Sequence, residues 1–220
     1  MIANSLLRKS VWPILALALA ALVVGCPTTQ PRYTGGPEPI KATGTYIHKP
    51  SGMSFPTGVS SFERDRILRY DQEGLNVGVG YNCRNALHPV AATVYVYPSP
   101  SLVSIGSPAN VVGEARERLS ENEFASTRQQ IIRAHPDAKL IEERRVEAVR
   151  DRHNGGRYAS FELDEVFAGS RQRVRSDVYL FSGLGGKWSL KYRFTYPIRA
   201  DVNKEVQELM EAVTWPGSRP

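Results

Sequence analysis

Cysteine and histidine are scarce in this chain, and their scarcity excludes several kinds of site. The 220 residues include two cysteines and four histidines. The histidines are His48, His88, His135 and His153. None has a second histidine or a cysteine at the spacing of metal ligands, so the sequence predicts no metal site and no cofactor. Two cysteines are also too few for the disulfide framework on which many small secreted domains depend.

The signatures of familiar catalytic sites are absent as well. No Gly-x-Ser-x-Gly motif marks the serine of an α/β-hydrolase. Glu142 and Glu143 are neighbours in a predicted strand, so they face opposite sides and form no carboxylate pair. The glycine-rich residues 183–186 lie between two predicted strands and not before a helix, which excludes a phosphate-binding loop of the usual kind.

The chain also lacks an apolar run long enough to span a membrane. Its longest apolar run, residues 11–24, contains Pro13 and has about 14 residues, whereas a spanning helix needs roughly 20. Arg8 and Lys9 precede the run, and Gly25 follows it. This order of basic, apolar and small residues is typical of a secretory signal peptide.

The end of that segment, Val23, Val24, Gly25 and Cys26, resembles the lipobox of bacterial lipoproteins. Val23 stands where leucine is commoner in that family. The resemblance implies that the Cys26 sulfur receives a diacylglycerol and that Cys26 becomes the new N-terminus, with palmitate-type chains as the anchor. A plain secretory signal and an uncleaved anchor are the alternatives.

The lipobox resemblance also implies a location and partners. Two or three acyl chains would hold the protein stably, whereas one chain binds a membrane only marginally. The residue after Cys26 is Pro27 and not the aspartate that retains such proteins at the inner membrane. We therefore expect a protein of the cell envelope, anchored at the outer membrane and facing the periplasm, with an envelope protein or the cell wall as its partner.

The net charge of the chain is compatible with an envelope protein and does not favour a nucleic-acid partner. The net charge is +6, and removal of residues 1–25 removes two basic and no acidic residues, which leaves +4. A mildly basic protein can contact anionic lipid or cell-wall polymers. A nucleic-acid partner would require a clustered basic face, so we expect none.

The composition predicts a tether before a single domain. Prolines and glycines recur through residues 27–44 without an apolar period, which is typical of a partly extended linker. The expected organisation is therefore a signal peptide over residues 1–25, a tether over 26–44 and one domain over 45–220. Cys83 lies in that domain, where it is either a small buried residue or a thiol for an intermolecular bridge.

Hydrophobic periodicity divides the domain into two series of strands separated by a long helix. Alternation predicts strands over residues 45–49, 62–70, 75–82 and 90–97, then 139–149, 157–166, 172–181 and 187–196. Helical spacing from Pro108 to His135 predicts the first helix, since Pro136 ends it. Asp201 is the expected N-cap of a second helix, whose apolar stripe runs from Val202 to Val213.

A two-residue turn at Ala168-Gly169 would fix one register. It places Asp164 opposite Arg173 and Glu162 opposite Arg175. Cross-strand ion pairs then explain the row of arginines 171, 173 and 175, and a polyanion-binding stripe is the alternative.

The order of elements predicts an α+β protein. We expect an antiparallel sheet of two strand series, covered by a long central helix and a C-terminal helix. This order resembles the PsbP-like fold over residues 45–216. That fold contains accessory and binding proteins, so the resemblance settles no activity.

One strand carries the candidate ligand site. Gly78 and Gly80 share a face with Asn76 and Asn82, and two glycines there let another group approach the backbone closely. Tyr95 and Tyr97 either lie over the gap as packing or form the walls of a groove for a sugar, a peptide or part of a lipid. We therefore predict a non-enzymatic envelope lipoprotein, an accessory or binding module, with an exported hydrolase as the alternative.

Overall fold

The computed structural model describes residues 36–83, 89–101, 108–147 and 155–216. Cys26, His88, His153 and most of the predicted tether lie outside these residues. The strands are Glu38–Pro39 (β1), Tyr46–His48 (β2), Met53–Phe55 (β3), Gly58–Val59 (β4), Phe62–Arg69 (β5), Val77–Cys83 (β6), Val90–Pro98 (β7), Lys139–Val146 (β8), Gly156–Phe167 (β9), Ser170–Leu184 (β10) and Trp188–Pro197 (β11). The helices are Ala109–Ala134 (α1) and Asn203–Ala212 (α2).

The fold is mixed and strand-rich, with two helices and an antiparallel sheet, as the sequence predicted. The main sheet has the order β1-β5-β6-β7-β11-β10-β9-β8, with β4 also paired to β5. The two strand series are joined by the pairing of β7 with β11. β2 and β3 form a separate hairpin.

One face of the sheet packs against α2 and the β2–β3 hairpin. Val77, Val79 and Tyr81 of β6 are buried there, because alternate residues of a strand share a face. Leu209 and Met210 of α2 cover them from the other side. This is the larger apolar core, and at about 1.5–3 kcal/mol per buried side chain it dominates the stabilisation of the fold.

The other face packs against α1, and α1 covers only part of it. Phe124, Thr127 and Ile131 are the buried residues of this helix. Phe124 and Ile131 pack in a small cluster with Ala159, Phe161, Val178 and Leu180 of β9 and β10. The predicted cover of the sheet by a long helix is therefore only partly realised, because α1 lies over β9 and β10.

Ion pairs add to this limited apolar contact of α1. Arg157 of β9 bonds to Glu117 at 2.5 Å and to Glu121 at 2.8 Å. Arg128 of α1 bonds to Glu143 of β8 at 2.5 Å. Ion pairs that keep at least one partner in contact with water contribute about 0–1 kcal/mol each, so these pairs orient the helix more than they stabilise it.

The folded domain begins earlier than the sequence analysis placed it. Glu38 pairs with Arg69 and Pro39 with Leu68, and the Ile40 amide donates to the Ile67 carbonyl at 2.8 Å. The boundary at residue 45 is therefore corrected to no later than Glu38. A strand of two residues shows no periodicity, so composition alone predicts a tether at these positions.

The second helix begins one residue later than predicted. Its N-cap position is Val202, and no side-chain cap bond is formed there. The Asp201 carboxylate still accepts from the Asn203 backbone amide at 3.3 Å and from the Asn203 side chain at 2.9 Å. The apolar stripe is confirmed, since Val202, Val206 and Val213 are buried.

The predicted register of β9 and β10 is confirmed. Asp164 lies opposite Arg173 and Glu162 lies opposite Arg175. The two-residue turn fixes this register because both Ala168 (φ 50) and Gly169 (φ 85) have the positive φ that such turns require. Arg175 lies 3.0 Å from Glu162, and Arg173 lies 3.6 Å from Asp164.

Reversing both paired arginines tests the structural interpretation of the arginine row. The double variant Arg173→Glu/Arg175→Glu replaces attraction by repulsion, so we expect a lower melting temperature, at about 0.2–1 kcal/mol per lost pair. Arg171→Glu is the control, because Arg171 stands opposite Val166. If the double variant unfolds as wild type but no longer binds anionic vesicles, the row is a polyanion-binding stripe.

A buried histidine holds the turn between β2 and β3. The His48 ring is fully buried, and its Nε2 donates to the Gly74 carbonyl at 2.9 Å. Its Nδ1 lies 2.7 Å from the Ser51 hydroxyl, and Nδ1 accepts because Nε2 carries the hydrogen. Burial lowers the pKa of His48, against the opposing effects of the Gly74 carbonyl and Asp71.

His48 should therefore make stability depend on pH. The pKa of its ring is lower in the fold than in the unfolded chain, so the unfolded chain binds more protons between the two values. Stability is complete above about pH 6.5 and falls as the pH drops below it. In urea titrations at about pH 7.5 and 5.5, His48→Gln should lose less free energy of unfolding than wild type. Equal losses in both proteins would contradict this role.

Candidate functional site

The candidate site is a cavity of about 670 Å³ between α1 and the sheet. We call it the helix cavity. The aromatic and charged residues of its lining are Tyr70, Tyr95, Tyr97, Glu123, Lys191 and Arg193. It exists because α1 packs over β9 and β10, which leaves β7 and β11 beside the helix without apolar cover.

Lys191 is the central charged group of the helix cavity. It lies opposite Tyr95 across the β7–β11 ladder. Its ammonium nitrogen is 4.6 Å from the centre of the Tyr95 ring and 5.7 Å from that of Tyr97. The negative ring faces attract the cation. Burial, followed by the positive charge of Arg193, lowers the pKa of Lys191, and Glu123 opposes this shift.

Glu123 of α1 faces Lys191 from the opposite wall. One of its carboxylate oxygens accepts from the Ser182 hydroxyl at 2.7 Å. The other, Oε1, is buried without a hydrogen-bond partner in the described part of the chain. Burial, the charge of Glu123 and a hydrogen bond to the Glu123 carboxylate raise the pKa of the Tyr97 hydroxyl. The cavity therefore combines aromatic rings with one cation and one carboxylate that are incompletely paired.

Arg193 completes the basic side of the cavity. Its Nε donates to the Ser176 hydroxyl at 3.2 Å, and a terminal nitrogen lies 3.1 Å from Nε2 of His135. Neither partner is a carboxylate, so the guanidinium charge is not neutralised by these contacts. Tyr70 closes the cavity at another edge, and burial raises the pKa of its hydroxyl to about 12.

The four residues predicted for the groove fall into two groups. Tyr95 and Tyr97 line the helix cavity. Gly78 lies beneath two rings, since a Cβ there would be 3.0 Å from Tyr70 and 3.1 Å from Tyr95. Gly80 lies beneath Arg66, whose Cγ would be 3.3 Å from an added Cβ. The glycines thus let side chains pack over β6, and the cavity lies beside them. Ligand binding by these residues stays a prediction.

A second cavity of about 750 Å³ lies on the N-terminal side of the same helix. It shares Pro100 and Glu123 with the helix cavity, so the two are adjacent. Its arginines include Arg145 and Arg157, which are already paired with Glu117. Arg116 is a third arginine of this lining, so the net charge equals that of the helix cavity, but the described residues that line it include no aromatic ring.

Other candidate chemistry lies away from the two cavities. The Ser51 and His48 side chains form a hydrogen-bonded pair, but both are buried in the β2–β3 turn and line neither cavity. The exported-hydrolase alternative draws no support from this pair. Cys83 is buried, and its thiol donates to the Ser61 hydroxyl at 3.2 Å. In the described part of the chain, no group of three or more His, Cys, Asp or Glu side chains could hold a metal ion.

No model of a known protein family matches the chain, and neither a curated protein nor a solved structure matches it.

Enlarging Gly78 tests whether the rings above it are tightly packed. Gly78→Val would press on Tyr70 and Tyr95, so we expect a loss of about 1–3 kcal/mol in a chemical unfolding experiment. Gly58→Val is the control, because a Cβ there meets only the Phe62 carbonyl at an ordinary 3.6 Å. If the two variants are equally stable, the rings do not constrain this position.

Proposed function

We propose that this chain is a membrane-anchored lipoprotein of the bacterial envelope that acts as a non-enzymatic binding or accessory module. The anchor is a lipid on Cys26, as the lipobox-like residues 23–26 indicate. The observation that carries the binding role is the helix cavity, which holds the incompletely paired Lys191 and Glu123 beside Tyr95 and Tyr97. Concave sites with aromatic walls and a few polar groups are typical of ligand binding.

The proposal includes the place of the protein in the cell. Pro27 after Cys26 supports the outer membrane, with the domain facing the periplasm and an envelope protein or the cell wall within reach. Neither helix of the described residues is long and apolar enough to cross a membrane. We further propose that the arrangement of α1 and α2 on opposite faces of the sheet is a PsbP-like architecture.

Processing at Cys26 is directly measurable. Mass spectrometry of the protein isolated from its native bacterium should find a chain that begins at Cys26 and carries two or three acyl chains. Cys26→Ser should appear in the soluble fraction, because the anchor cannot form. Isolation of wild-type protein with an unmodified Cys26 thiol or with its initiator methionine would contradict the lipoprotein proposal.

A further inference from the structure

We propose that the helix cavity binds an acidic sugar, with the anionic group of the ligand at the Lys191 ammonium and a ring hydroxyl at Oε1 of Glu123. The inference rests on the proposed binding role and names the chemical class of the ligand. It does not depend on the lipid at Cys26.

The charge of the cavity walls requires an anion. Lys191 and Arg193 are the cations of the lining, and Glu123 is its acid. Among the described residues, Arg193 contacts Ser176 and His135 and has no carboxylate within ion-pair distance. Among the described residues, the Lys191 ammonium has contacts with two tyrosine rings but no hydrogen-bond acceptor and no carboxylate within ion-pair distance. One further negative charge would balance the lining.

Burial of the Lys191 ammonium favours the binding of an anion beside it. Withdrawal of the ammonium from water disfavours its charged form, which is the main cause of its lowered pKa. A carboxylate or phosphate beside the ammonium would compensate the lost hydration. Hydrogen bonds between charged groups are about twice as strong as those between neutral ones.

Glu123 adds a second requirement, which a simple anion does not meet. Its buried Oε1 lacks a donor among the described residues, and an unsatisfied buried acceptor costs about 1–3 kcal/mol. A ligand hydroxyl can donate to this oxygen, whereas a second carboxylate would be repelled by it. The ligand therefore carries an anionic group and a hydroxyl group on one compact frame.

The size and the rest of the lining fit a sugar ring. A volume of about 670 Å³ lies within the range of small-molecule sites, about 300–1,000 Å³. Asn76, Ser126 and Gln130 contribute polar side chains, which match further hydroxyl groups better than they match a hydrocarbon chain. The rings of Tyr95 and Tyr97 contribute flat walls. A monosaccharide with one acidic group satisfies all of these features.

Calorimetric titration of the full-length protein in detergent micelles tests this inference. The probes are D-glucuronate, neutral D-glucose and acetate. We expect glucuronate to bind about tenfold or more tightly than either of the other two, because only glucuronate combines the anion with hydroxyl groups. Lys191→Met should lower the glucuronate affinity by about tenfold or more, whereas the exposed Lys187→Met should leave it unchanged.

A steric variant keeps the test decisive if Lys191→Met does not fold. Ser126 is exposed on α1 and lines the cavity, so Ser126→Trp should block binding while the protein still folds. Gln129→Trp is the matched control, since Gln129 is exposed on the same helix and outside the lining.

Several results would overturn the inference. Equal affinity for glucose and glucuronate would show that the anionic group of the ligand does not contribute to binding. Equal affinity for acetate and glucuronate would show that the ring hydroxyl groups do not contribute. If Ser126→Trp binds glucuronate as tightly as the wild-type protein does, the ligand binds outside the helix cavity. Failure of glucuronate to bind would reject the acidic sugar but leave the lipid on Cys26 intact, whereas an unlipidated Cys26 would reject the anchor and leave the binding result standing.

Discussion

The pairing of β7 with β11 is the constraint on which the rest of the structure depends. β7 ends the strand series before α1, and β11 ends the series after it. Their antiparallel ladder, from Trp188 opposite Pro98 to Thr195 opposite Ala91, joins the two series into one sheet. Because strands that meet here are distant in sequence, this ladder costs the most chain entropy and requires the most burial to offset it. The apolar core under α2 supplies that burial.

The same ladder positions the candidate site. Alternate residues of β11 point to opposite faces, so Leu190 and Tyr192 enter the α2 core while Lys191 and Arg193 face α1. Lys191 lies directly opposite Tyr95, which brings a cation and an aromatic ring together without a local sequence motif. The helix cavity is therefore a consequence of a helix that packs on β9 and β10 beside a polar part of the sheet.

Much of this fold could be predicted from residue periodicity, and the failures have physical causes. Long strands with one buried face, such as β11, alternate clearly, and the two-residue turn at Ala168-Gly169 fixed the β9–β10 register. β1 and β4 have two residues each and cannot show a period. The gap left by Gly78 and Gly80 predicts Tyr95 and Tyr97 as its neighbours, and in the structure Gly78 lies opposite Tyr95 whereas Gly80 lies opposite Thr93. Lys191 alternates with the buried residues of β11, so periodicity alone places it on the solvent-exposed face. Its burial depends on α1, which lies far earlier in the chain.

Amide hydrogen exchange of β7 and β11 tests the central claim most directly, because protected amides report the free energy of the opening that exposes them. A single sheet joined at this ladder predicts that the most protected amides of β7 and of β11 exchange with equal free energy, and that this value matches the global free energy of unfolding from denaturant titration. Exchange of one strand series at a free energy about 2 kcal/mol or more below the other would show two independently unfolding halves and would contradict the account.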